Sequence, residues 1–272
     1  MTSRVEQTIG YVVLGAFSLI ALAPIAGIVF TALQDPDSFA AFGSFDGLHF
    51  DNFVTAWEEA NFGQYLRSSV IVAVAVVSSA SVLSILTGYA FGMMRFRGSE
   101  VLFYVFLLGL MVPMEAMIVP LYYDFRELGL TNTYWALILP QVGLSVAFGT
   151  FWMRAYFRTV PRSLVEAARI DGASSWFTLW RVLLPLARPA VLTMVVLLFM
   201  WTWNEFLLAL VMVTDENLRT APLGLSFFQG RNTSDLTLMA AGSVIVALPV
   251  VILYVFLQRH FIRGMLSGAV KG

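Results

Sequence analysis

Apolar residues gather into six long runs, at about residues 9–33, 67–93, 101–123, 135–157, 189–213 and 237–258. A helix that crosses the hydrocarbon layer needs about 20 predominantly apolar residues, so each run is long enough to span. Proline falls inside the third run (Pro113 and Pro120), the fourth (Pro140) and the sixth (Pro249). Membrane helices tolerate this because neighbouring helices satisfy the freed carbonyls. The pattern predicts an all-α polytopic membrane protein with six transmembrane helices, forming one membrane domain over residues 1–272. Composition agrees: 59% of residues are hydrophobic and 12% charged, with a mean hydropathy of +0.80, where an ordinary soluble domain is about one quarter charged. The first run is too long for a cleaved leader and reads as a retained anchor.

The charges orient these spans. With both termini in the cytoplasm, 12 of the 16 Lys and Arg residues fall on the inner side, and Arg67, Arg126, Arg219 and Arg231 fall outside. That is the asymmetry the positive-inside rule expects. The outer loop 34–66 carries six acids and no Lys or Arg, and a short helix is expected there around Asn52–Ala60. The second long outer loop, 214–236, carries the pair Phe227-Phe228, suited to a partner or the bilayer surface. The arginines therefore need no nucleic acid to explain them. The chain has no cysteine, which excludes disulfides and thiolate metal sites. His49 and His260 have no metal-ligand company, so no resident metal or cofactor is expected.

The most specific segment is the Arg-rich inner loop 158–188. Ser163 and Glu166 have capping-box spacing, the hydroxyl bonding the Glu166 amide and the carboxylate reaching back. Ala167 and Ala168 favour helix and offer a small-sided face. Gly172, between Asp171 and Ala173, suits a left-handed stop. The resulting helix is about eight residues, too short to persist alone in water, so it must be held by packing. Asp171, near the negative end of the helix dipole, calls for a basic partner. Trp176, Leu179, Trp180, Leu183 and Leu184 then form one apolar face of an interfacial helix, which Pro185 and Pro189 are expected to break.

Two acids lie inside spans. Glu115 falls about 21 Å along the third run and Glu205 about 24 Å along the fifth at 1.5 Å per residue, both in the outer half. Intramembrane acids usually face a cavity or a partner. With Asn204, they are candidates to line a translocation path, with local unwinding where Pro113 and Pro120 bracket Glu115. Trp152, Trp201 and Trp203 suit interfacial anchoring or packing better than stacking on a solute. A P-loop needs an internal Gly-Lys-[Ser/Thr], and the only lysine is Lys271, next to the last residue. The chain is thus expected not to be an enzyme, with any ATP-derived energy supplied by another polypeptide.

Glu166-Ala167-Ala168, Asp171-Gly172-Ala173 and Leu184-Pro185 together resemble the EAA loop of bacterial ABC-importer permeases. The remainder is similar to the carbohydrate-transporting, maltose-type branch, through Tyr89-Ala90 to Arg95-Phe96-Arg97-Gly98, through Trp203-Asn204-Glu205-Phe206, and through the tail His260 to Gly272. Ser68-Ser69 departs from the Asn-Ser usual there, with a local capping contact at stake, and Val182 replaces a commoner Ile. The resemblance implies a type I importer fold in the cytoplasmic membrane of a prokaryote. It also implies a heterodimer with a second homologous permease, two ATPase subunits binding ATP and Mg, an extracytoplasmic solute-binding protein and a carbohydrate substrate. In that picture the loop containing Ser163, Glu166, Gly172, Leu184 and Pro185 couples the ATPases to transport. The alternative is a self-sufficient, proton-coupled secondary transporter using Glu115 or Glu205; it expects inverted repeats, which the sequence does not display. An intramembrane enzyme would need a nucleophile–base pair or a metal cluster, and neither is recognisable.

Overall fold

The computed structural model describes residues 4–35, 47–229 and 235–269, with side chains described as far as residue 258. The segments 36–46 and 230–234 of the two outer loops, and Lys271 in the tail, lie outside the described residues. The helices are α1 (Arg4–Ala32), α2 (Asp51–Glu59), α3 (Phe62–Met93), α4 (Ser99–Met111), α5 (Met114–Glu127), α6 (Tyr134–Thr159) and α7 (Arg162–Ile170). They continue with α8 (Ser175–Trp203), α9 (Leu207–Met212) and α10 (Leu236–Ala269). Five of these are long and apolar enough to cross a membrane, and α4 with α5 makes a sixth span if counted as one broken path.

The chain divides into two compact units, Met1–Gly63 with Gly224–Pro249, and Gln64–Leu223 with Val250–Gly272. In the first, the expected outer-loop helix is α2. Its Asn52 amide donates to the Ala32 and Gln34 carbonyls at 3.0 and 2.8 Å, tying α2 to the end of α1. Phe62 packs toward Phe228, with ring centroids 6.3 Å apart, and over Gly242, where a Cβ would come within 2.9 Å of the Phe62 ring.

The larger unit carries the candidate sites. Its backbone can bend or break only where side chains or neighbours satisfy the freed groups. Hydroxyls of α3 bond back within the helix: Ser78 to the Val74 carbonyl at 2.6 Å and Thr87 to Leu83 at 2.8 Å. Gly88 and Gly92, one turn apart, let α3 sit directly on α6. A Cβ at Gly88 would collide with Met153, and one at Gly92 would lie 2.9 Å from the Phe157 Cβ. Gly149 of α6 makes the same allowance for Ser84. Small residues are the usual means of close helix approach in a bilayer.

Two expected spans differ in detail. The third run is two helices meeting at 95°, because Val112 and Pro113 are both extended; a residue before proline disfavours helix. The unwinding thus precedes Glu115 rather than surrounding it. Pro185 and Pro189 do not break the path, since both lie within the continuous α8. The turn Thr178–Leu183 is π-helical. This wider turn sits where the Pro185 ring would otherwise meet the carbonyl four residues earlier. The fifth run breaks later, at Asn204–Phe206, between α8 and α9.

Candidate functional site: a short surface helix and two broken spans

The start of α7 is set by proline. Val160 and Pro161 are extended, and the fixed φ of Pro161 leads straight into a helix beginning at Arg162. Ser163 is therefore already helical, and no side chain caps the N-terminus. The expected Ser163–Glu166 capping box does not form.

The far end matches the sequence reading. Gly172 has φ +78°, the left-handed conformation that glycine adopts without strain. The Ala173 amide bonds the Ala168 carbonyl at 2.9 Å, and the Gly172 amide bonds Arg169 at 3.0 Å. Nested bonds of this kind are a Schellman closure. Asp171 has no ion-pair partner among the described residues. Its backbone serves as the C-cap, and its exposed carboxylate is left to solvent.

The two alanines part company. Ala168 is buried, while Ala167 is exposed. Val165 and Val160 pack against a core of Phe157, Met153, Leu179 and Leu183, joined by Val182 and Leu184. Thus α7 is footed on α6 and on the π-turn of α8. It leaves an open apolar edge of Leu164 (38% exposed), Ala167 and Ile170 (85% exposed). Pro185 is exposed and Ala173 half-buried.

Beside this footing lies a clamp that the sequence reading missed. Arg154 of α6, nearly buried, donates through one terminal nitrogen to both Glu100 oxygens, at 3.0 and 2.9 Å. Its Nε reaches the Phe91 carbonyl at 3.4 Å, and its guanidinium lies 3.5 Å from the Phe103 ring centroid. Arg158 adds a 2.7 Å bond to the same carboxylate. One side chain thereby joins the ends of α3, α4 and α6. The eight-residue lag from Gly92 to Glu100 hid the pairing, since nothing local relates α4 to α6; the Gly88–Gly92 spacing was the visible signal for close packing.

The candidate path residues sit at the two breaks. Glu205 precedes α9 and accepts from the Leu208 and Ala209 amides, at 2.7 and 3.2 Å. Its carboxylate therefore satisfies the orphan donors of a helix start inside the fifth run. Asn204 is exposed and donates to the Met200 carbonyl at 2.7 Å. Glu115 is exposed in the first turn of α5. The half-helices α5 and α9 pack together, through a second core that includes Ile118, Phe125, Leu208, Ala209 and Met212. The tryptophans pack: Trp203 stacks on Phe199, Trp201 meets Phe148 edge-on, and the Trp152 indole donates to the Ala190 carbonyl.

Beyond α9, polar side chains strap the following loop to the unit. Asn132 accepts from the Thr214 and Asp215 amides at 3.0 and 2.7 Å. Ser68 bonds Tyr134 and the Asn217 carbonyl, and Ser69 accepts from the Ala221 amide at 2.8 Å. Ser68 thus makes tertiary contacts rather than a local cap.

The model of the family described as "Binding-protein-dependent transport system inner membrane component" matches residues 80–267. The chain is 36% identical to a probable ABC transporter permease protein, YurM, of Bacillus subtilis, over 93% of this chain and 85% of that one. It is 30% identical to the diacetylchitobiose uptake system permease protein NgcG of Streptomyces coelicolor, over 99% and 91% of the two chains. In fold it is similar to a chain of a bacterial ABC transporter involved in the import of the acidic polysaccharide alginate. That match has a TM-score of 0.82 and 25% identity, covering 96% of this chain and 99% of the other. With fold and sequence agreeing over nearly its whole length, this multi-pass membrane protein belongs to the inner-membrane component family of binding-protein-dependent transport systems.

Proposed function

We propose that this chain is a permease subunit of an ABC importer for a carbohydrate, a sugar or oligosaccharide delivered by an extracytoplasmic binding protein. It works beside a second permease and two ATPase subunits in the cytoplasmic membrane of a prokaryote, with both termini inside. The observation that carries this reading is α7, a nine-residue helix closed at Gly172 and footed on the core of Phe157, Met153, Leu179 and Leu183 while its Leu164–Ala167–Ile170 edge stays open. A helix of that length holds its shape only by packing, so a push on the open edge is passed to α6 and α8 rather than dissipated. The α8 helix leads from this footing to the break at Asn204–Phe206. Broken helices within a membrane are tolerated where they line a protein or water-filled cavity, which supports Asn204, Glu205 and Glu115 as path residues. In this role Glu205 shapes the break by holding α9, and the exposed Asn204 and Glu115 offer polar groups to hydroxyls.

The sequence supports assigning ATP hydrolysis to a partner. With Lys271 as its only lysine, it has no P-loop of its own, and hydrolysis falls to the ATPase subunits. The experiment is reconstitution into liposomes with a partner ATPase, a second permease and a solute-binding protein. Carbohydrate uptake should require all four components and ATP. Accumulation by this chain alone against a gradient would contradict the reading and favour a secondary transporter.

A further inference from the structure

A cavity of about 580 Å³ opens between the α3–α4 turn and α7. Arg95 enters from the turn, Arg162 and Arg169 enter from α7 with Glu166 between them, and Met94 and Phe96 form apolar walls. Among the described residues its arginines are unpaired, unlike those of the neighbouring clamp. Arg154 and Arg158 share Glu100, whereas Arg95, Arg162 and Arg169 have no ion-pair partner among the described residues. Glu166 is the single acid in this wall, leaving two positive charges in excess.

We propose that this cavity binds a phosphate-bearing anion, held by Arg95, Arg162 and Arg169. Three arginines converging from two elements repel one another until a counter-charge arrives, and the planar guanidinium matches phosphate oxygens two at a time. Glu166 opposes the ligand, and its two flanking arginines outweigh it. Arg162, Glu166 and Arg169 recur at helical spacing on one face of α7, whereas Leu164 and Ala167 lie on the other side. Ile170, one turn on from Glu166, stands beside that face, so an anion here leaves the Leu164 and Ala167 part of the apolar edge free. The half-exposed Met94 and Phe96, 41% and 40% exposed, follow directly on the membrane-crossing α3. They form a rim suited to the glycerol and first methylenes of a phospholipid. Basic pockets beside membrane helix ends commonly take such headgroups. The same chemistry would also take a free phosphate ester, and the test separates the two.

The full chain in neutral detergent is titrated by native mass spectrometry with phosphatidylglycerol, phosphatidylcholine, glycerol 3-phosphate and inorganic phosphate. Wild type should prefer phosphatidylglycerol to phosphatidylcholine, and the preference should fall roughly fivefold for each arginine removed in Arg95→Gln, Arg162→Gln and Arg169→Gln. Arg181→Gln with Arg188→Gln, which line no part of the cavity, should leave it intact. Competition by glycerol 3-phosphate or inorganic phosphate at equal concentration identifies a free ester as the natural ligand; its absence identifies the lipid. The single Arg95→Gln variant, altered only in a turn, gives a readout if the triple variant misfolds. Equal preference in wild type and Arg95→Gln, or binding of a glutamate-rich peptide with no phosphate probe bound, would overturn the proposal.

Discussion

At the α7 end of the larger unit, Gly88 and Gly92 seat α3 on α6, and Arg154 ties three helix ends together. At the opposite end, two spans are broken, at Val112–Pro113 and at Asn204–Phe206, and the short helices beyond them pack on each other. The first region is built from contacts that leave little room to rearrange. The second has exchanged continuous helix for pieces whose ends must be capped. The difference suits a transporter that receives force at one end and opens a path at the other. On the proposed function, the receiving end is the one that must not yield, and the broken spans are where the path rearranges.

The largest expected effect is at the tight contact. Gly88→Leu would drive a side chain into Met153 and the Arg154 backbone. Overpacking of this kind costs about 3 kcal/mol, and a large fall in the detergent melting temperature, with lost folded yield, would register it. Next comes Arg154→Ala. It removes a nearly buried guanidinium and leaves Glu100 only Arg158; since Glu100 is 57% exposed, the loss should be about 2 kcal/mol, below that of a fully buried pair. Glu205→Ala should cost about 1 to 2 kcal/mol through two uncapped amides. Glu205→Gln keeps an acceptor and should recover part of it. If the alanine variant melted like wild type but lost uptake, Glu205 would be a solute contact rather than a cap. The smallest effect is Arg158→Ala, whose half-exposed ion pair is worth about 1 kcal/mol or less. A loss equal to that of Arg154→Ala would dissolve the contrast between the two arginines.

The helices were legible because each apolar run meets the length a bilayer demands. The left-handed stop at Gly172 was legible because only local backbone bonds decide it. Other features depend on contacts remote in sequence. The clamp joins Glu100 to residues 54 and 58 positions away, and no local pattern announces it. The capping box failed because Pro161 fixes the helix entry two residues earlier than Ser163 requires. Pro185 and Pro189 misled for a related reason: a π-turn just before them absorbs the first, and the helix continues through the second. Glu205 was correctly singled out as an unusual membrane acid, but its use as a cap appears only once the helix is seen to break beside it.

The central claim is that α7 carries force because its Schellman closure fixes its shape. The direct measurement is the ratio of carbohydrate uptake to ATP hydrolysis in the reconstituted complex, for wild type, Gly172→Asn and Gly172→Val. No atom lies within 4 Å of a Cβ at Gly172, so the penalty is purely conformational, about 1 to 2 kcal/mol for a β-branched residue in the left-handed region. Asparagine tolerates that region and should couple nearly as glycine does, while valine should hydrolyse ATP with little uptake. A valine variant that moves as much solute per ATP as wild type would contradict the account.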